Sequence, residues 1–123
     1  MPRMKGSFET FGDGILTICE ADERTLIKTK MEHVRFGNKT IGVQRFWQAK
    51  TAGNKVDRLI SMPLSIMKKV LVEVNDVVLI ETEGKQYIIN QVQPKFDARP
   101  PALYLSMEQL VHPYKDKREK DEG

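Results

Sequence analysis

The side chains best suited to chemistry are few in this chain, and they are scattered. His33 and His112 are the only imidazoles and Cys19 is the only thiol. His33 lies in a stretch read as a strand, His112 stands beside Pro113, and neither has a second ligand at metal-binding spacing. HExxH, paired cysteines and the EF-hand loop are absent from the sequence. Cys19 has no His or Asn companion nearby that would make it a nucleophile. FGDG at 11–14 and GNK at 53–55 are not phosphate loops, and GxGxxG, GxxxxGK[ST] and GxSxG do not occur. Carboxylates are plentiful but alternate along extended segments, where they read as solvated faces, and no pair stands out as an acid/base couple. The pattern argues against an enzyme and offers no place for a metal or cofactor.

Binding is what remains, and composition bounds it. The chain has 123 residues, 40% hydrophobic and 30% charged, which suits one folded soluble domain able to bury a core without staples. A lone cysteine cannot form an internal disulfide and suits a reducing compartment. No window approaches a membrane span, and the opening MPRMKGSFETFGDG lacks an apolar h-region, so neither membrane insertion nor a secretory signal is expected. The net charge of +3 is mild and spread along the chain. It reads first as a solvated surface and second as contact with an anionic lumen or groove. Exposed aromatics interleaved with basic residues on one strand face would mark single-strand binding. Phe46, Trp47 and Tyr87 lie near basic residues but form no such repeat.

The elements that must position any contact are strands. Residues 77–82 and 86–92 are apolar and β-branched runs joined by Glu83-Gly84, the pattern of a hairpin with glycine free to take positive φ. Residues 102–105 return as a third run after Pro94, Pro100 and Pro101, giving a meander with Val77, Leu79, Tyr87 and Ile89 in the core. Earlier, residues 14–20 (GILTICE) and 26–36 (LIKTKMEHVRF) read as strands separated by a turn at 21–25. Gly37-Asn38 suggests a turn or bulge. Residues 40–52 read as a strand and then a short helical turn ending near Gly53, on the i, i+3, i+4, i+7 spacing of Val43, Phe46, Trp47 and Lys50. Residues 55–62 form a strand stopped by Pro63, and 64–71 a short helix or irregular crossing. Fold class is therefore mainly β: a small β-barrel or β-sandwich with one short helix or long loop excursion and flexible termini. Residues 1–12 read as an N-terminal arm, 13–112 as a single β-rich domain, and 113–123 as a charged, flexible C-terminal tail. Trp47 serves either core packing or a partner contact. The arm is either a frayed end or a segment that orders on a neighbouring subunit.

Residues 35–111 carry a resemblance. RFGNKTIGVQRFWQAKTAGNKVDRLISMP is followed by DVVLIETEGKQYIINQVQPKFDARPPALYLSMEQL. The order is a strand, an aromatic-Gln-Ala turn, a strand ending at Pro, a GKQYII hairpin, then Pro-Pro and an apolar last strand. GKxYxI after an apolar strand occurs in many small β-barrels; its linkage to RFWQAK upstream is more specific. Over about two-thirds of the chain this resembles the small head-closure, or head–tail connector (stopper-type), proteins of siphophages and prophages of Gram-positive bacteria. The resemblance implies a structural virion protein made in the host cytoplasm and placed in the neck, where a ring, a dodecamer, closes the DNA-filled head. Its implied partners are further copies of itself, a portal or adaptor protein above and a tail-terminator or tail-completion protein below. No membrane is involved. It makes the excursion 48–57 a candidate for the lumen, with Lys50 and Lys55 meeting packaged DNA non-specifically, although both also read as solvated loop lysines. Phe8, Phe11 and Tyr114 become anchors of terminal arms, and a meander edge is free for strand addition. A small β-barrel nucleic-acid-binding module and a tail-completion protein are the alternatives.

Overall fold

The computed structural model describes residues 9–41 and 55–118. The strand-and-turn reading of 42–52, with Phe8, Trp47 and Lys50, lies outside the described residues. The chain is mainly β. Its elements are β1 (Gly14–Asp22), β2 (Thr25–Lys39), β3 (Arg58–Pro63), a 3₁₀ turn (Leu64–Lys68), β4 (Val77–Ile80), β5 (Lys85–Lys95), β6 (Ala102–Gln109) and β7 (Lys115–Asp116).

All the strands belong to one sheet in the order β1-β4-β5-β6-β3-β2-β7, and β1 also pairs with β2. The hydrogen bonds therefore run in a ring from β1 back to β1, with β7 attached outside it. Two long strands turn the corners. β2 pairs with β1 as far as Phe36, opposite Gly14, and its next residues, Gly37 to Lys39, pair with β3. β5 pairs with β4 over its first residues and with β6 from Tyr87 to Lys95. Register shifts, which bend a strand and sharpen its twist, interrupt β1–β2 in three places and β5–β6 between Ile89 and Gln91.

Alternation along the strands sorts the side chains. Ile18 and Val78 face each other across the β1–β4 pair and enter the main core with Phe36, Ile60, Ile89 and Leu103. Their neighbours Cys19 and Val77 point to the opposite face, where they join Leu26 in a second cluster. A third cluster, Leu59, Ala98, Ala102 and Tyr104, lies on β3, β6 and the turn before β6. The closed sheet thus has an apolar inside and two small apolar patches outside. The expected core residues divide accordingly: Tyr87 and Ile89 are inside, Val77 is in an outer patch, and Leu79 packs partly buried against it.

The meander matches the reading of the sequence, and Gly84 takes φ +67 in the turn between β4 and β5. Gly37-Asn38 does not. Both residues stay in β2, opposite Ser61 and Ile60. The glycine serves a close approach instead: a Cβ on Gly37 would stand 2.1 Å from the Thr10 carbonyl oxygen.

The β1–β2 loop is under local strain. Asp22 pairs with Thr25, leaving Glu23 and Arg24 as a two-residue hairpin loop at φ 49 and 61. A primed turn requires this conformation, which Asn-Gly adopts far more readily than Glu-Arg. Replacing both residues, Glu23→Asn with Arg24→Gly, is expected to stabilise the fold by about 1–2 kcal/mol. Urea denaturation of the two chains checks this; an unchanged midpoint would show that the loop is not strained.

Candidate interaction surfaces

Each outer patch is covered by a terminal segment. On the N-terminal side, Phe11 and Ile41 pack on the cluster of Leu59, Ala98, Ala102 and Tyr104. Beside it the Glu9 carboxylate is almost wholly buried, with 1% of its side chain exposed. Tyr104 donates its hydroxyl to Oε1 at 2.5 Å, Ser61 donates to Oε2 at 3.2 Å, and Lys39 Nζ donates to both oxygens at 3.2 and 2.9 Å. The strands fix these donors: Ser61 pairs with Tyr104 across β3–β6, and Lys39 with Leu59 across β2–β3. The Glu9 amide donates to the Arg99 carbonyl at 3.0 Å. Residues 9–12 read in the sequence as part of an arm that either frays or orders on a neighbouring subunit. They are docked instead, because a buried carboxylate with this many donors leaves only at the cost of its hydrogen bonds.

Burial alone would raise the Glu9 pKa, but the hydrogen bonds from Tyr104 and Lys39 and the charge of Lys39 outweigh it and hold the carboxyl below its ordinary value. A carboxylate shifted down in the folded state adds stability above its unfolded pKa, and that stability is lost as pH falls through the folded value. Glu9→Gln is therefore expected to cost about 1–3 kcal/mol at neutral pH, with the gap to the unaltered chain closing on the acid side. Unfolding free energies of both chains along a pH series test this; a gap that does not vary with pH would refute it.

On the other side Tyr114 packs against Cys19, Leu26 and Val77. Its amide donates to Gln86 Oε1 at 2.8 Å, and its carbonyl accepts from Gln86 Nε2 at 3.2 Å. β7 then runs parallel to the start of β2, and Arg118 donates to Thr29 Oγ1 at 3.0 Å. Tyr114 to Arg118, expected as part of a flexible tail, form a second cover. The physical reason is again an apolar patch that needs one. Burial also raises the Cys19 thiol pKa, which keeps it protonated and unreactive.

At one end of the ring Arg58, at the start of β3, gathers partners from β2, β5 and the β4–β5 turn. Its Nη1 and Nη2 donate to Glu83 at 2.8 and 2.9 Å, and Nε and Nη2 donate to Asn38 Oδ1 at 3.1 and 2.8 Å. Nη1 also reaches the Tyr87 hydroxyl at 3.2 Å, and the guanidinium lies over the rings of Phe36 and Tyr87.

One apolar surface has no cover among the described residues. β3 ends at Pro63, the 3₁₀ turn follows, and Leu64 donates its amide to the Pro101 carbonyl at 3.0 Å. The turn after β5 brings up Phe96, and Pro63, Leu64, Met67, Pro100 and Pro101 complete a shallow groove with it. Phe96 is 77% exposed. Prolines lack amide donors, so this wall offers little polarity.

No family model matches the chain, and no curated protein or solved structure does either.

Of the predicted contact residues, Phe11, Lys55 and Tyr114 are among the described residues, and these three are not brought together. Phe11 and Tyr114 belong to the two separate covers, each packed on its own chain. Lys55 is the first described residue of the excursion 48–57. Its carbonyl accepts from Asn90 Nδ2 at 2.7 Å, and its exposed Nζ lies 3.5 Å from Asp57 Oδ1, so one carboxylate already shares its charge. The meander has no free edge for strand addition, since β4 pairs on both sides and so do β5 and β6. Among the described residues no group of three or more His, Cys, Asp or Glu could hold a metal ion. Sequence reasoning missed Glu9, Lys39 and Tyr104, which come together only through the fold. It also missed Phe96, which did carry a signal: an aromatic set between Pro94 and Pro100 in a turn has no strand face on which to be buried.

Proposed function

We propose that this chain is a structural subunit of the head–tail connector of a tailed phage, assembling as a ring that closes the DNA-filled head and joins it to the tail. The observation that carries the reading is the Phe96 groove, an apolar concavity on a chain that is 30% charged. A large exposed apolar surface is a mark of a protein–protein contact. In this reading its occupant is the next copy in the ring, met by a different surface as head-to-tail rings require. The resemblance of residues 35–111 to head-closure proteins supports the placement in the neck, between a portal or adaptor and a tail-terminator or tail-completion protein. Lys50 and Lys55, both in the excursion 48–57, are then the candidates for contact with packaged DNA.

Cryo-electron microscopy of particles carrying the unaltered chain or Phe96→Asp tests the proposal. The expected result is a ring of this chain in the neck of the first, and tailless heads that lose DNA with the second. Neck density that excludes the chain would overturn the connector reading. So would tight, salt-sensitive DNA binding by the free monomer, which would favour a nucleic-acid-binding module.

A further inference from the structure

We infer that the site holding residues 9–11 is a receptor for the same segment of a second copy, so that two copies can be linked by exchanging their N-terminal covers. This goes beyond the connector reading and does not depend on it, because exchange needs only two chains.

The receptor is built for a short, specific ligand. It takes a carboxylate in the pocket formed by Lys39, Ser61 and Tyr104, and two residues later an aromatic ring on Leu59, Ala98 and Ala102. Between them the ligand backbone passes directly over Gly37, where a Cβ would collide with the Thr10 carbonyl oxygen at 2.1 Å. Recognition is thus a Glu-x-aromatic sequence lying across a glycine, and the segment that fits is the one this chain carries.

The attachment is also separable. Among the described residues, the Glu9 amide joins the segment's backbone to the body by donating to the Arg99 carbonyl, and the Glu9 and Phe11 side chains add hydrogen bonds and packing. The next firm anchor is Asp13, whose amide donates to the Phe36 carbonyl and whose Oδ2 accepts from the Asn38 amide at 2.7 Å. The joint between them, at Gly12, stands in the open: a Cβ there would meet nothing within 4 Å. A vacated receptor leaves Lys39 without the Glu9 carboxylate and the outer patch bare, so opening is unfavourable unless an equivalent segment arrives. A second copy's residues 9–11 restore every contact. Exchange is then close to neutral in free energy, and local concentration decides it.

The test separates donor from receptor. In Gly37→Ala the receptor is blocked and the segment is intact. In the Glu9→Ala, Phe11→Ala chain the segment is disabled and the receptor is intact. Each alone is expected to run as a monomer, and an equal mixture to give a 1:1 complex by light scattering and native mass spectrometry. Circular dichroism confirms that each is folded. Should Gly37→Ala not fold, a synthetic peptide of residues 7–14 added to the second variant replaces it, with saturable binding and a raised melting temperature expected. Folded variants that remain separate, or a peptide that leaves the melting temperature unchanged, would overturn the inference.

Discussion

Phe36→Ala is expected to lower the unfolding free energy by about 3–5 kcal/mol, the range for removing a large aromatic from a close-packed interior. Phe36 is fully buried and sits where β2 leaves β1 and turns toward β3. Its ring covers the start of β1 so closely that a Cβ on Gly14 would stand 2.8 Å from it, and the Arg58 guanidinium lies over its face with 5.4 Å to the centroid. Truncation therefore opens a cavity at a corner of the closed sheet and takes away the ring on which the Arg58 guanidinium stacks. Urea denaturation measures the loss as a lower midpoint at unchanged slope. A loss of under about 1 kcal/mol would mean that the site collapses around the cavity and that the corner is held by backbone pairing alone.

Arg58→Ala is expected to cost about 2–4 kcal/mol. A buried-side fork to a carboxylate and stacking on two rings each contribute, discounted because Glu83 keeps some contact with water. The pair favours its charged form from both ends: the hydrogen bond to Glu83 holds the Arg58 pKa up, and the hydrogen bond from Arg58 holds the Glu83 pKa down. Arg58→Lys keeps the charge but loses the planar fork and the stacking, so it is expected to recover less than half of the loss. If lysine restores full stability in thermal and denaturant unfolding, charge alone matters at this end of the ring.

The meander was legible because its hydrophobic alternation, turn glycine and proline stops all agree locally, and residues 77–105 needed no distant partner to be read. The outer covers were not legible. Glu9 looks like any solvated carboxylate until β2, β3 and β6 bring Lys39, Ser61 and Tyr104 beside it, and those residues are far apart in the chain. Gly37 was misread for a related reason. Glycine in a strand signals either a bend or the near passage of another backbone, and only the fold reveals which. Tyr114 to Arg118 have the composition of a disordered tail, and their order comes from the patch they cover. Phe11 and Tyr114 stand out in the sequence as aromatics in otherwise polar arms. Their targets, on the same chain, could not be read from composition.

The ring of hydrogen bonds has a consequence for motion. An open sheet has outer strands from which it can fray, one strand at a time. Here each of β1 through β6 has neighbours on two sides, and detaching any of them breaks two ladders at once. Among the described residues, the two terminal covers and the 3₁₀ turn beside the Phe96 groove lie outside the ring and can open without breaking any of its ladders. Topology therefore separates the covers and the turn, which can rearrange on meeting another protein, from the ring strands beneath them, which carry Gly37, Lys39, Ser61 and Tyr104.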